Sequence, residues 1–206
     1  KHRFRCISLG APGPGKPSSR KMAASVKGNP MPEYTLTVID TTQIQQYVFG
    51  SNRLAENVGA SELVELATRR WVCEALPRPN NVADASRALP DPERTLDAAD
   101  PSRRVEVEIL YAGGGNTVLL FREGPAAVAF TKRLTRKVLH DAPGLELVVA
   151  HRTVDWDKEA LALVMQETLG RALARKKLDR QPSLPLLGLG VTAACRSTGL
   201  VASELR

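Results

Sequence analysis

A glycine-rich turn between two strand-like runs constrains this sequence more than any other feature. Val105–Tyr111 and Thr117–Arg122 are rich in β-branched and aliphatic residues, and only Ala112-Gly113-Gly114-Gly115-Asn116 separates them. Glycine reaches positive φ without steric cost, which a tight hairpin connection requires. The two runs therefore predict an antiparallel hairpin. A hairpin alone is unstable in water, so further strands and a covering helix layer must exist elsewhere in the chain.

The flanking segments supply them. Tyr34–Asp40 is β-branched and partly alternating, a strand that delivers Asp40 to its C-terminal edge. Thr41 or Thr42 is placed to cap a short helix with Ile44, Tyr47 and Val48 on one face. Asn52 and Gly59 mark a loop, after which Ser61 caps a second helix presenting Val64, Ala67, Trp71 and Ala75 on one side. Beyond the hairpin, Pro125 suits the first turn of a helix whose Ala127, Phe130, Leu134 and Val138 share a face. Gly144 suits its exit, and Leu145–Val154 gives a fourth strand. Asp157–Lys177 predicts a further helix, apolar at Leu161, Met165, Thr168 and Ala172, with a basic last turn that favours its dipole. The order strand, two helices, hairpin, helix, strand defines an α+β fold of the ferredoxin-like palm type. Its expected form is an antiparallel sheet with helices on one face, followed by a C-terminal helical extension.

Composition sets the boundaries. Residues 1–30 carry Lys1, Arg3, Arg5, Lys16, Arg20, Lys21 and Lys27 with no acid, and no apolar periodicity, so they read as a disordered basic extension, with Met31 as the expected true start. Without those seven, 22 basic residues face 22 acidic ones, so the net charge of +7 does not argue for nucleic acid. Residues 31–154 are the expected palm, 77–102 a flexible Pro-, Asn- and Asp-rich insertion, and 155–206 a helix leading into a truncated following region. Cys6, Cys73 and Cys195 form neither a disulfide framework nor a complete zinc site. No apolar run reaches the about 20 residues needed to cross a bilayer, and a soluble, cytoplasmic chain with no membrane partner is expected.

Three separated stretches carry a family resemblance: Ile39–Phe49 (Ile-Asp-Thr-Thr-Gln-Ile-Gln-Gln-Tyr-Val-Phe), Asn52–Leu63, and Tyr111–Asn116 (Tyr-Ala-Gly-Gly-Gly-Asn). Together they resemble the palm domain of the large subunit of type III CRISPR effector complexes, a relative of nucleotidyl cyclases of the GGDEF type. Cys195–Gly199 also resembles a stretch that follows the palm in that family. The resemblance implies a site for a nucleoside triphosphate and two divalent metals, held by a strand-end Asp, a neighbouring carbonyl and the acids of a Gly-Gly-Asp-Asp hairpin. Carried over, Asp40 matches the first metal ligand and Thr41 the carbonyl. Thr42 stands where the cyclases place another acid, Gly113 and Gly114 match the hairpin glycines, and Gly115 and Asn116 occupy the positions of its acids. The motif is degenerate.

The implied nucleotide-contacting set is therefore Asp40, Thr41, Thr42, Gly113, Gly114, Gly115 and Asn116, with Asp40 as the one metal-binding carboxylate and no catalytic residue. Each has a plainer reading beside it: Asp40 as a cap of the following helix, and the glycines as the solution to a backbone problem. One carboxylate cannot neutralise two hard dications, so Mg2+ and ATP are expected to bind weakly or not at all. The expected role is a non-catalytic scaffold or nucleotide-sensing module of a CRISPR type III-like antiviral protein. Its partners would be other effector subunits or a second palm, with RNA reached through the complex. Two alternatives stay open: an active nucleotidyltransferase or cyclic oligonucleotide synthase whose acids lie in a second palm after residue 206 or in a partner, and a ferredoxin-like RNA-binding or interaction domain. Gln43, Gln45 and Gln46 and the basic clusters at Lys132–Lys137 and Arg171–Arg180 read as solvated helix faces.

Overall fold

A computed structural model describes residues 33–156, 158–179 and 193–196. The basic leader, Met31 and most of Cys195–Gly199 lie outside the described residues. Strand β1 (Glu33–Thr42) leads into α1 (Ile44–Val48), α2 (Leu54–Thr68) and α3 (Arg70–Ala75). A small hairpin, β2 (Val82–Asp84) and β3 (Leu89–Pro90), then precedes the main one, β4 (Val107–Gly113) and β5 (Asn116–Phe121). Helix α4 (Gly124–Asp141), strand β6 (Glu146–Asp155) and helices α5 (Leu161–Glu167) and α6 (Leu173–Leu178) follow. The four long strands form one antiparallel sheet in the order β4-β5-β1-β6, the ferredoxin-like arrangement expected from the element order.

Strand alternation divides β1 between two cores. Ile39 points into a cluster with Val64, Trp71, Leu119, Phe121, Phe130 and Leu134, the apolar faces of α1–α4. Tyr34, Leu36 and Val38 point the other way, into a cluster with Val118, Leu120, Val148, Ala150, Val164 and Leu173. Both faces are thus buried, because the C-terminal helices lie across the face that α1–α4 leave free. Each fully buried Leu, Phe or Val adds about 1.5–3 kcal/mol of apolar transfer, which explains why the chain covers both sides.

Four local expectations change. Neither Thr41 nor Thr42 caps α1: its N-cap is Gln43, in the left-handed region at φ 56° and without a side-chain cap. Ser61 caps nothing, because α2 runs unbroken through Gly59 and Ser61 to Thr68, and the helix breaks instead at Arg69 (φ −126°, ψ −77°). A glycine on an exposed helix face costs only about 1 kcal/mol, less than the packing of α2 restores. Residues 77–102 are not structureless. Asn81 is buried, its amide donating to the Ile109 carbonyl (3.2 Å) and its side-chain oxygen accepting from Ile109 N–H (2.7 Å), so this segment satisfies and covers the edge of β4. Finally, the apolar seam of the last helix runs through Val164 and Thr168 to Leu173, not Ala172. A π-helical turn over Thr168–Ala172 inserts the extra residue that moves the seam by one.

Candidate functional site

The residues singled out in the sequence meet at one end of the sheet. β1 and β5 pair with Asp40 directly opposite Asn116 and Ile39 opposite Thr117. Gly114 (φ +60°) and Gly115 (φ +86°) form the two-residue connection of the β4–β5 hairpin, both in the region where a side chain is strained. The glycines are also needed sterically at one point: a Cβ on Gly115 would stand 2.5 Å from Thr41 Oγ1 and 2.8 Å from Ile44 Cδ1.

Thr41 explains that closeness. Its backbone N–H and its hydroxyl both donate to the Gly115 carbonyl, each at 2.9 Å, pinning the hairpin turn against the end of β1. Thr41 is buried on the α1–α4 side, whereas Asp40, its neighbour, points to the opposite face. Thr42 lies half-buried at the strand end, across from Glu146 of β6.

The Asp40 carboxylate is largely enclosed, its side chain 15% exposed. With its amide nitrogen turned toward Asp40, Asn116 donates to Asp40 Oδ1 and also to the Gly115 carbonyl at 3.2 Å. Asp40 Oδ2 forms an ion pair with Lys177 Nζ from α6. Capping of the following helix, the plainer reading of Asp40, is therefore not what its side chain does. Among the described residues no three His, Cys, Asp or Glu side chains converge in a way that would hold a metal ion.

Tyr111 belongs to the same neighbourhood: it pairs with Val118, on the Asp40 face, and its hydroxyl lies 3.6 Å from where a Cβ on Gly113 or Gly114 would be. Gln43, Gln45 and Gln46 are exposed, as solvated positions. The basic residues divide. Arg133 donates to the Ala75 carbonyl at 3.1 and 2.9 Å, and Lys137 lies 5.0 Å over the Trp71 ring and 2.9 Å from Asp141, so both tie α4 to its surroundings. Sequence reasoning grouped Lys177 with a solvated basic helix end and missed its role. Nothing in a local window signals a pairing across 137 positions of chain.

His151 lies in mid-β6 facing α4, with Thr37 Oγ1 at 2.9 Å from Nδ1 and Thr131 Oγ1 at 3.3 Å from Nε2. Burial and the nearby Lys176 charge hold its pKa below the ordinary imidazole value. The Cys73 thiol is pushed up to about 11, chiefly by burial, which makes it inert rather than nucleophilic.

Neither a protein-family model nor a curated protein matches the chain. Solved structures do. The crystal structure of a Csm1–Csm4 cassette in complex with cA4 superposes with a TM-score of 0.50 at 16% identity, over 75% of this chain and 20% of that one. The apo Csm1–Csm4 cassette gives 0.48 at 18% identity, over 72% and 19%. Csm1 of T. onnurineus gives 0.42 at 17% identity, over 84% and 25%. The chain has the fold of a segment of Csm1 and spans about a fifth to a quarter of the length of these Csm1 chains.

Proposed function

We propose that this chain is a non-catalytic palm module of a type III CRISPR-like effector large subunit, serving as a scaffold for other subunits. The fold likeness to a Csm1 segment, joined to the three motifs at Ile39–Phe49, Asn52–Leu63 and Tyr111–Asn116, supports the family reading. One observation carries the non-catalytic part: across from Asp40, where the family resemblance implies a hairpin acid, stands the amide of Asn116.

Phosphoryl transfer through two divalent ions needs several anionic oxygens to hold hard cations close together and to stabilise charge at the attacking and leaving oxygens. Asp40 offers one carboxylate, and Asn116 meets it as a donor, so the residues present do not fit a pair of Mg2+ ions around ATP. Each lost 1.4 kcal/mol of transition-state stabilisation slows the chemistry about tenfold, and the loss of several ligands removes many times that. Asp40, Thr41 and the Gly113–Asn116 turn then serve to fix the hairpin against β1 rather than to turn over a nucleotide.

The partner follows from the relative. Csm1 is found with Csm4 in the cassette structure, and a subunit of that kind, or a second palm, is the proposed binding partner, with RNA reached through the assembled complex. The setting is cytoplasmic on this reading. Among the described residues no helix is long and apolar enough to cross a membrane.

The test is a product assay. The purified chain, incubated with ATP and MgCl2, is expected to give no cyclic or linear oligoadenylate above background and no saturable heat in calorimetric titration. Robust synthesis by the isolated chain would overturn the non-catalytic reading. Saturable nucleotide binding without turnover would replace the scaffold role by a sensing one.

A further inference from the structure

We infer that Lys177 is the resident cation of the Asp40 site, and that this ion pair latches the C-terminal helix across the sheet face on which the site lies. The inference rests on the contacts of α6 and holds whichever family the chain belongs to.

The latch begins with the π-helical turn. By shifting the seam one residue, Thr168–Ala172 turns Leu173 into the core of the second face, and Lys177, four residues on, shares that helix face. The aliphatic stem then runs toward the sheet end and sets the ammonium against Asp40 Oδ2, where Lys177 is 40% exposed and Asp40 15%. Asp40 Oδ1 accepts from the Asn116 amide. Both carboxylate oxygens are thereby engaged by donors of the chain itself, one of them carrying a full positive charge. A mobile dication arriving at Asp40 meets a tethered competitor that is always present.

Neighbouring contacts hold the same helix in place. Lys176 Nζ donates to the Val149 carbonyl of β6 at 2.7 Å, beside Val148, the cross-strand neighbour of Asp40. At the other end of the strap, Arg152 of β6 binds Glu159 at 2.7 Å and Glu167 of α5. Charged anchors thus bracket a short apolar seam, and of these anchors the Lys177 pair is the one that involves the most enclosed acid. Removing a partner from a partly buried pair leaves an uncompensated charge, so it costs more than an exposed ion pair would.

Four variants of the full chain test this: Lys177→Met, Asp40→Asn, the two combined, and Lys177→Arg. Backbone amide exchange and thermal melting are the readouts. In Lys177→Met, exchange in α6 is expected to accelerate about tenfold or more relative to α4, since local opening follows the free energy that holds the helix down. Lys177→Arg should restore most of the protection, because the charge returns. The double variant should be no worse than the worse single one, the non-additive pattern of residues in direct contact. Strict additivity, or α6 exchange that is the same in all four proteins, overturns the latch.

The resident-cation claim has its own arm. With Lys177 replaced by Met, millimolar MgCl2 is expected to raise the melting temperature beyond NaCl of equal ionic strength, and to do so in neither the parent chain nor the double variant. A Lys177→Met protein indifferent to Mg2+ would overturn that claim. If Lys177→Met does not fold, Lys177→Gln enters the same cycle and is judged by the same outcomes. Failure here leaves the product assay untouched, and oligoadenylate synthesis by the parent chain would leave the latch standing, so the two readings fail separately.

Discussion

Under α1–α4 the sheet meets Trp71, Phe130 and Leu134. Under α5–α6 it meets Val164 and Leu173, with charged side chains gathered around them. The first face is a core in the ordinary sense, held by dense apolar packing that salt does not reach. The second combines a thinner apolar seam with ion pairs at Asp40 and Arg152, whose strength depends on solvent and on what else competes for the charges. The difference teaches which side of the molecule can respond to its surroundings. The second face of the sheet is thus covered by helices that ion pairs help to fasten.

Four measurements would break or sharpen that contrast. Phe130→Ala, at a fully buried position against Phe121 (ring centroids 5.4 Å apart), should cost about 3–5 kcal/mol in urea unfolding, nearly independent of salt. A loss that salt reverses would contradict the division between the faces. Gly115→Ala acts where the faces meet. With φ at +86° and Thr41 and Ile44 in the way, it should destabilise by about 1–3 kcal/mol and loosen the hairpin amides in exchange experiments. An unchanged melting temperature would show that the turn is not held as tightly as Thr41 implies.

Adjacent residues of β6 supply the other two. His151 faces α4 with a lowered pKa, so in the folded chain it takes up its proton less readily than in the unfolded one. Its contribution is complete at neutral pH and is lost as pH falls below the ordinary imidazole value of 6.5, because the unfolded state then binds more protons. Replacing His151 with Gln should flatten that part of the acid limb of the stability curve, and an identical limb in the variant would exclude His151 as its source. Arg152→Gln should have the smallest effect on global stability, yet it should speed amide exchange in α5 at low salt more than at high salt. Salt-independent exchange in α5 would mean that the strap is held by its apolar seam alone.

How much of this was legible beforehand depends on the range of each interaction. The hairpin, β1, α4 with Pro125 in its first turn, and the exit at Gly144 (φ +88°) were readable because propensity, periodicity and positive φ act within a few residues. The meeting of Asp40 with the Gly113–Asn116 turn was legible through the family motifs rather than from spacing. The continuity of α2 through Gly59, the buried Asn81 and the one-residue shift of the last helix were not, since packing overrode the local signal in each case.

By itself the sequence determined the order of the four long strands and the helices between them, the antiparallel hairpin and the presence of a lone acid at the end of β1. Only the tertiary structure decided that a second face would be covered, and that Lys177 would be the residue to reach Asp40. The reason is physical. Backbone conformation answers to neighbours along the chain, whereas the partner of a charge is set by which helix face the packed seam happens to turn inward.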